Sequence, residues 1–202
     1  MRTGVFGGTF NPIHCGHVLL ARTYAAALHL DRVLVIPTYL PPHKAGGQLA
    51  GGCHRLNMCR LAFEGDPVCR VSDIELRRGG KSYTIDTVRQ MNARYPGAQL
   101  YFPMGSDMLL WFRNWAAYRE LLRRVVLVAH LRTGEDAAPV REYAAGLAAE
   151  GGTVLFAKAP VFPVSSTEVR ALAAKAGRWT ALCPKAWRRT LRGTIFIRPR
   201  PG

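Results

Sequence analysis

The sequence predicts an α/β fold, a parallel sheet flanked by helices, and three features of the chain predict it. Apolar runs of five to seven residues recur at 2–6, 32–37, 98–103, 124–130 and 153–157. That length suits strands buried on both faces, as in a parallel sheet. Amphipathic segments separate the runs, and strand–helix alternation generates parallel strands joined by right-handed crossovers. The first run closes on Gly7-Gly8 and feeds a helical pattern. In such sheets ligands sit beyond the carboxyl ends of the strands.

The helical segments follow from periodicity. Across 17–28, Leu20, Tyr24 and Leu28 form one stripe. Further helices are predicted at 55–63, 84–94, 118–122, 140–149 and 167–176. Residues 41–52, PPHKAGGQLAGG, read as a loop rich in glycine and proline. Residues 185–202 read as a terminal helix, a short strand and a fraying Pro/Arg tail. The 202 residues, 49% of them hydrophobic, suit one domain, 1–202, whose last part from about 165 is a small C-terminal helical extension and tail.

Composition narrows the function classes. Lys and Arg total 28 against 13 Asp and Glu, a formal charge of +15. Such a charge favours anionic partners: nucleic acid, an acidic membrane surface or phosphorylated small molecules. Residues 167–202 carry nine Lys or Arg against the single acid Glu168. No nucleic-acid-binding motif stands in that tail, so a nucleic-acid module is the weaker alternative and no specific nucleic-acid partner is expected. No apolar run approaches the roughly 20 residues of a membrane span. The N-terminus reaches Gly7-Gly8 too soon for a signal-peptide apolar region. A cytoplasmic location is therefore expected. The five cysteines are scattered without a C-x-x-C pair, which points to reduced thiols rather than a disulfide framework or zinc knuckle.

Chemistry enters at Gly7-Gly8-Thr9-Phe10-Asn11-Pro12-Ile13-His14-Cys15-Gly16-His17. The glycines permit a tight turn and close approach of a ligand to the backbone. His14 and His17 are three apart, so they share a face of a starting helix. Gly16 removes a side chain between them. A helix N-terminus offers unpaired N–H groups and a partial positive charge, hence an anion site. Two imidazoles there can donate to phosphate oxygens as charge develops. The plainer alternative is a pair of core histidines. A metal site needs a third ligand, and none is near in sequence.

This string resembles the signature of the nucleotidyltransferase superfamily that shares H-x-G-H with class I aminoacyl-tRNA synthetases. The resemblance implies a Rossmann-like sheet, ATP contacts from Gly7, Gly8, Thr9 and Phe10, and catalytic roles for His14 and His17. A second element supports it. Ser165-Ser166-Thr167-Glu168-Val169-Arg170 holds an S-x-x-E capping box, so a helix starts there. Arg170 lies one turn in, and its fork suits a phosphate. The hexapeptide resembles the I-S-S-T-x-I/V-R element of the same superfamily, with Val164 in the isoleucine place. By that resemblance Ser165, Ser166, Thr167 and Arg170 hold ATP phosphates opposite the two histidines, and Arg170 is catalytic.

Three further strings resemble the nicotinate mononucleotide adenylyltransferase branch. Pro41-Pro42-His43-Lys44 places a lysine on a loop, and Asn11 and Lys44 are implied to contact the mononucleotide. Ser82-Tyr83-Thr84-Ile85-Asp86-Thr87 opens a helix after Gly79-Gly80. Ser82, Tyr83 and Thr84 there suit the carboxylate that a nicotinate ring carries. Gly105-Ser106-Asp107 follows a strand, where a carboxylate accepts from ribose hydroxyls, so Gly105 and Asp107 join the ATP set. Trp115 offers a flat face for a pyridine ring, with Trp111 as its rival. The family spacing, G-x-D then seven residues then W, selects Trp115. Cys15 stands where the family usually has leucine, and Cys183 and Trp187 depart from its small apolar C-terminal residues.

The resemblance implies a transferase of pyridine nucleotide (NAD) biosynthesis. It adenylylates nicotinate mononucleotide with ATP, giving deamido-NAD and pyrophosphate. Nicotinamide mononucleotide and phosphopantetheine are the alternative acceptors. Mg²⁺ is expected to arrive with ATP, since the motifs hold no acidic cluster. A homo-oligomer is compatible with the sequence.

Overall fold

The computed structural model describes residues 1–42, 49–131, 137–158, 163–175 and 182. Six strands form one parallel sheet in the order β3-β2-β1-β4-β5-β6. They are β1 (Arg2–Gly8), β2 (Arg32–Pro37), β3 (Cys69–Val71), β4 (Gln99–Gly105), β5 (Val125–His130) and β6 (Thr153–Phe156). The order reverses between β1 and β4, which pair over Arg2↔Gln99 to Gly4↔Tyr101. That reversal is the crevice where α/β sheets take ligands.

β1, β2, β4 and β5 are apolar on both faces because each face is covered by helices, whereas β6, expected to be buried, lies at the sheet's edge with Leu155 and Phe156 exposed. In β2, Val33 and Val35 enter one core, and Leu34 and Ile36 the other. The first core is built with α1 (Cys15–Ala27) and α2 (Gly52–Ala62), through Tyr24, Met58 and Cys59. The predicted stripe of Leu20, Tyr24 and Leu28 faces it. After β3 come α3 (Ile74–Arg78) and α4 (Thr84–Arg94). The second core takes Val88 and Met91 from α4. It also takes Leu121 from α6 (Tyr118–Arg124) and Leu147 from α7 (Ala137–Ala149). A short α5 (Ser106–Leu110) follows β4 directly, and α8 (Ser166–Ala174) follows β6.

The second strand falls on its apolar run, and the helix at 84–94 falls where periodicity places it. Four short elements were not anticipated: β3, α3, α5 and a 3₁₀ helix at Phe112–Asn114, of three, five, five and three residues. None is long enough to show a period. Arg124, expected to open a strand, ends α6 instead, and α2 starts at Gly52, inside the expected loop. Lys44, Cys183, Trp187 and the predicted helix, strand and tail over 185–202 lie outside the described residues.

Candidate active site

The site is built where β1 ends. Gly7 is exposed at the strand's edge, and a Cβ added there would meet nothing within 4 Å. Gly8 has a different reason: its Cβ would lie 2.7 Å from the Phe10 ring. Thr38 N–H donates to the Gly8 carbonyl at 2.9 Å, which ties the turn to the end of β2. Thr9 is half-buried. Phe10 adopts φ 45°, unusual for a side chain of that size. Its buried ring packs 5.8 Å from Phe6 and edge-on to His17 at 5.1 Å. Ile13, fully buried, pins the loop into the first core.

His14 caps α1 and His17 stands three residues on, as their spacing requires. Their rings stack at 3.7 Å with 33° between planes. Gly16 has His14 against it, since a Cβ would come 3.1 Å from His14 Nδ1 and 3.3 Å from Val164. The His14 backbone N–H donates to His17 Nδ1 at 3.2 Å. Burial lowers the His17 pKa from 6.5 to about 3, with His14 adding to the effect. Burial also lowers His14 to about 4, partly offset by the charge of Glu168. Both rings are neutral at pH 7. Because His17 Nδ1 accepts, its proton resides on Nε2, which leaves a donor for a ligand.

α8 docks onto this loop from about 150 residues away in sequence. The predicted capping box is present: Glu168 N–H donates to Ser165 Oγ at 3.2 Å, and Ser165 N–H to Glu168 Oε2 at 2.6 Å. Ser166 Oγ donates to the Pro12 carbonyl at 2.8 Å. Arg170 donates from Nη1 to the Asn11 carbonyl at 2.6 Å and from Nη2 to Thr167 Oγ1 at 3.1 Å. Val169 is fully buried in the first core and fixes the helix in place. Two helix N-termini therefore converge beside β1, one bearing His14 and His17, the other Thr167 and Arg170. Thr167 is exposed and Arg170 half-buried.

The other expected residues that are described lie in the turn after β1, at the start of α4, and at or after the end of β4. Asn11 is buried, and its Oδ1 accepts from Ala50 N–H at 3.0 Å. Ser82 is buried as well, its hydroxyl accepting from Tyr39 N–H at 2.8 Å. Tyr83 caps α4, which begins at Thr84, and both side chains are half-buried. Gly105 caps α5, and Asp107 lies exposed in its first turn. The Asp107 carboxylate folds back so that a Cβ on Gly105 would sit 2.5 Å from Oδ1. Trp115 is half-buried, edge-on to Phe102 at 5.7 Å and 5.4 Å from Phe112. Trp111 is 45% exposed. Among the described residues no cluster of three His, Cys, Asp or Glu side chains could hold a metal ion.

Sequence reasoning missed three groups here. Arg55, 1% exposed, donates to three backbone carbonyls of two loops. Glu75 is buried and accepts from Thr87 Oγ1 at 2.6 Å. Tyr24 OH and His130 Nδ1 are hydrogen-bonded at 2.5 Å, with His130 at the end of β5 opposite Gly105. An arginine or glutamate on a short helix reads as solvated, and no motif signals otherwise.

The comparisons bear on this geometry. The Cytidylyltransferase-like family model matches residues 5–172. A Symbiobacterium thermophilum protein named "Probable nicotinate-nucleotide adenylyltransferase" is 40% identical over 174 residues, 86% of this chain and 84% of that one. The Bacillus subtilis nicotinate-nucleotide adenylyltransferase is 36% identical over 172 residues, 84% of each. A Plasmodium falciparum nicotinic acid mononucleotide adenylyltransferase, solved in complex with NaAD, superposes with a TM-score of 0.74. That match covers 96% of this chain and 97% of the other at 16% identity, and so speaks for the fold. No helix among the described residues is long and apolar enough to cross a membrane.

Proposed function

The chain belongs to the nicotinate-nucleotide adenylyltransferase family, and from that premise we propose that it moves the adenylyl group of ATP onto nicotinate mononucleotide. One observation carries the reading: the helix start bearing His14 and His17 meets the helix start bearing Thr167 and Arg170 at the end of β1. That is a cradle of donors for a polyphosphate.

A phosphate oxygen of the mononucleotide attacks the α-phosphorus of ATP in line. The bond from that phosphorus to the bridging oxygen breaks, and pyrophosphate leaves with the electron pair. No protein nucleophile is needed, so the chain acts by alignment and charge stabilisation. His17 Nε2–H and His14 donate to oxygens that gain charge, while Arg170 and the α8 start hold the leaving phosphates. Gly7 to Phe10, Gly105 and Asp107 bracket the nucleotide. Asn11, Ser82 and Tyr83 shape the acceptor side. Ser82 acts through Tyr39 rather than by direct contact. The start of α4 at Thr84 faces the nicotinate carboxylate with its positive dipole end. Mg²⁺ carried with ATP would neutralise phosphate charge facing the donors of the α1 and α8 starts.

Pyrophosphate release decides the acceptor. With ATP present, nicotinate mononucleotide should turn over much faster than nicotinamide mononucleotide, and phosphopantetheine should be inert. Equal kcat/KM for the two pyridine nucleotides would remove the nicotinate assignment.

A further inference from the structure

Arg55 is a buried cation that forms no ion pair with a carboxylate among the described residues. Its Nε donates to Ala50 O at 2.9 Å, Nη1 to Thr9 O at 2.8 Å, and Nη2 to Tyr39 O at 3.2 Å. All three acceptors are backbone carbonyls, and they come from two loops. Thr9 is in the turn after β1. Tyr39 and Ala50 are the two stems of the segment that carries Lys44. Burying a guanidinium is costly unless its donors are matched, and a planar fork is the group that matches three carbonyls at once.

The carbonyls are nodes in a longer chain of bonds. Asn11 Oδ1 accepts from Ala50 N–H at 3.0 Å, and Asn11 O accepts from Arg170 at 2.6 Å. On the other side, Tyr39 N–H donates to Ser82 Oγ at 2.8 Å. Beside Ser82 stands the buried Glu75, which accepts from Thr87 of α4 at 2.6 Å. The path runs from α8, beside the two histidines, through Arg55 to the start of α4.

We propose that Arg55 is a positioning residue that fixes the turn holding the ATP phosphates against the loop and helix start holding the mononucleotide. This rests on the acceptor reading above. In-line transfer depends on the distance between two substrates bound by separate loops, and Arg55 spans both sets. A misplacement of about 1 Å costs a reaction of this kind on the order of a hundredfold.

Arg55→Lys is the test, because an ammonium supplies donors from one point and cannot span three carbonyls. Arg60→Ala, exposed on the same helix, is the control and should leave turnover unchanged. The expected result is a folded Arg55→Lys chain whose kcat falls at least about tenfold, while the Kd for ATP alone, by calorimetry, moves less than twofold. A folded variant with kcat within twofold of the wild type overturns the proposal. So does a loss of rate that only tracks the folded fraction. If Arg55→Lys does not fold at the assay temperature, Arg55→Gln is read the same way. Failure of both to fold makes Arg55 a residue of stability alone and also overturns it. The wild-type rate with nicotinate mononucleotide tests the acceptor reading separately, since the variant-to-wild-type ratio is taken with whichever acceptor turns over.

Discussion

His17 uses one ring nitrogen inside the fold and leaves the other for a ligand. Its Nδ1 accepts the His14 N–H, so the N-terminal turn of α1 itself selects the tautomer that donates from Nε2. His17→Ala should lower kcat by roughly a hundredfold, the scale of losing one preorganised donor to developing charge. A folded variant at the wild-type rate would refute the role. The same burial has a consequence for stability. The rings titrate at about 4 and about 3 in the fold, against 6.5 in the open chain. Between those limits the unfolded chain binds protons that the folded chain does not, so stability falls as pH drops below about 6.5. It levels off only below the folded values. Melting temperatures of wild type and His17→Ala across pH 7 to 4.5 should converge at the acid end, because the variant lacks one of the two groups. Parallel curves would show that His17 is not held neutral by burial.

At the scale of elements, the helix starts do most of the positioning. α1, α4 and α8 all begin at the carboxyl end of the sheet, and each brings donors with it. Trp115 belongs to the segment after α5, where the chain turns back from β4. Its edge-on contact with Phe102 and its contact with Phe112 make it part of the second core's rim, while Trp111 is the more open ring. Trp115→Ala should therefore do two things. It should raise the KM for the mononucleotide about fivefold, near 1 kcal/mol of stacking. It should also lower the melting temperature, by less than the ~3–5 kcal/mol of a fully buried tryptophan would imply. Trp111→Ala should do neither. If Trp111→Ala alone raised the acceptor KM, the two roles would be exchanged. The G-x-D–W spacing made Trp115 legible, but not its packing. The five predicted strands were legible as apolar runs, and α4 because it is long enough to show a helical period. β3, α3 and α5 were not. That Thr167 and Arg170 stand opposite the two histidines came only from the resemblance, and the contacts of α8 with Pro12 and Asn11 had no signal, since spacing says nothing about contacts 150 residues apart. Arg55 gave no signal because a helical arginine ordinarily faces water.

For the whole molecule, the charge of +15 needs a physical place. Part of the acidic complement is already committed to arginines: Asp66 to Arg22, Asp73 to Arg77, Glu120 to Arg89 and Arg124, and Glu150 to Arg113. These pairs are mostly exposed and contribute little each, and they leave the cationic excess unneutralised. A molecule of that charge attracts any polyanion, so weak binding to duplex DNA is expected without any binding motif. It is also expected to draw the anionic substrates toward the donors at the end of β1, raising association rates at low salt. The two effects separate by ionic strength. Anisotropy with a labelled duplex should show affinity falling steeply with salt and no dependence on DNA sequence, with binding negligible near 200 mM. kcat/KM for the mononucleotide should fall with salt as well, but kcat at saturation should not, because groups at contact distance inside the site are screened far less than approaching charges. Sequence-selective DNA binding that survives 200 mM salt would mean that the basic surface serves nucleic acid rather than substrate capture. A kcat that fell as steeply as kcat/KM would place the salt effect within the site itself.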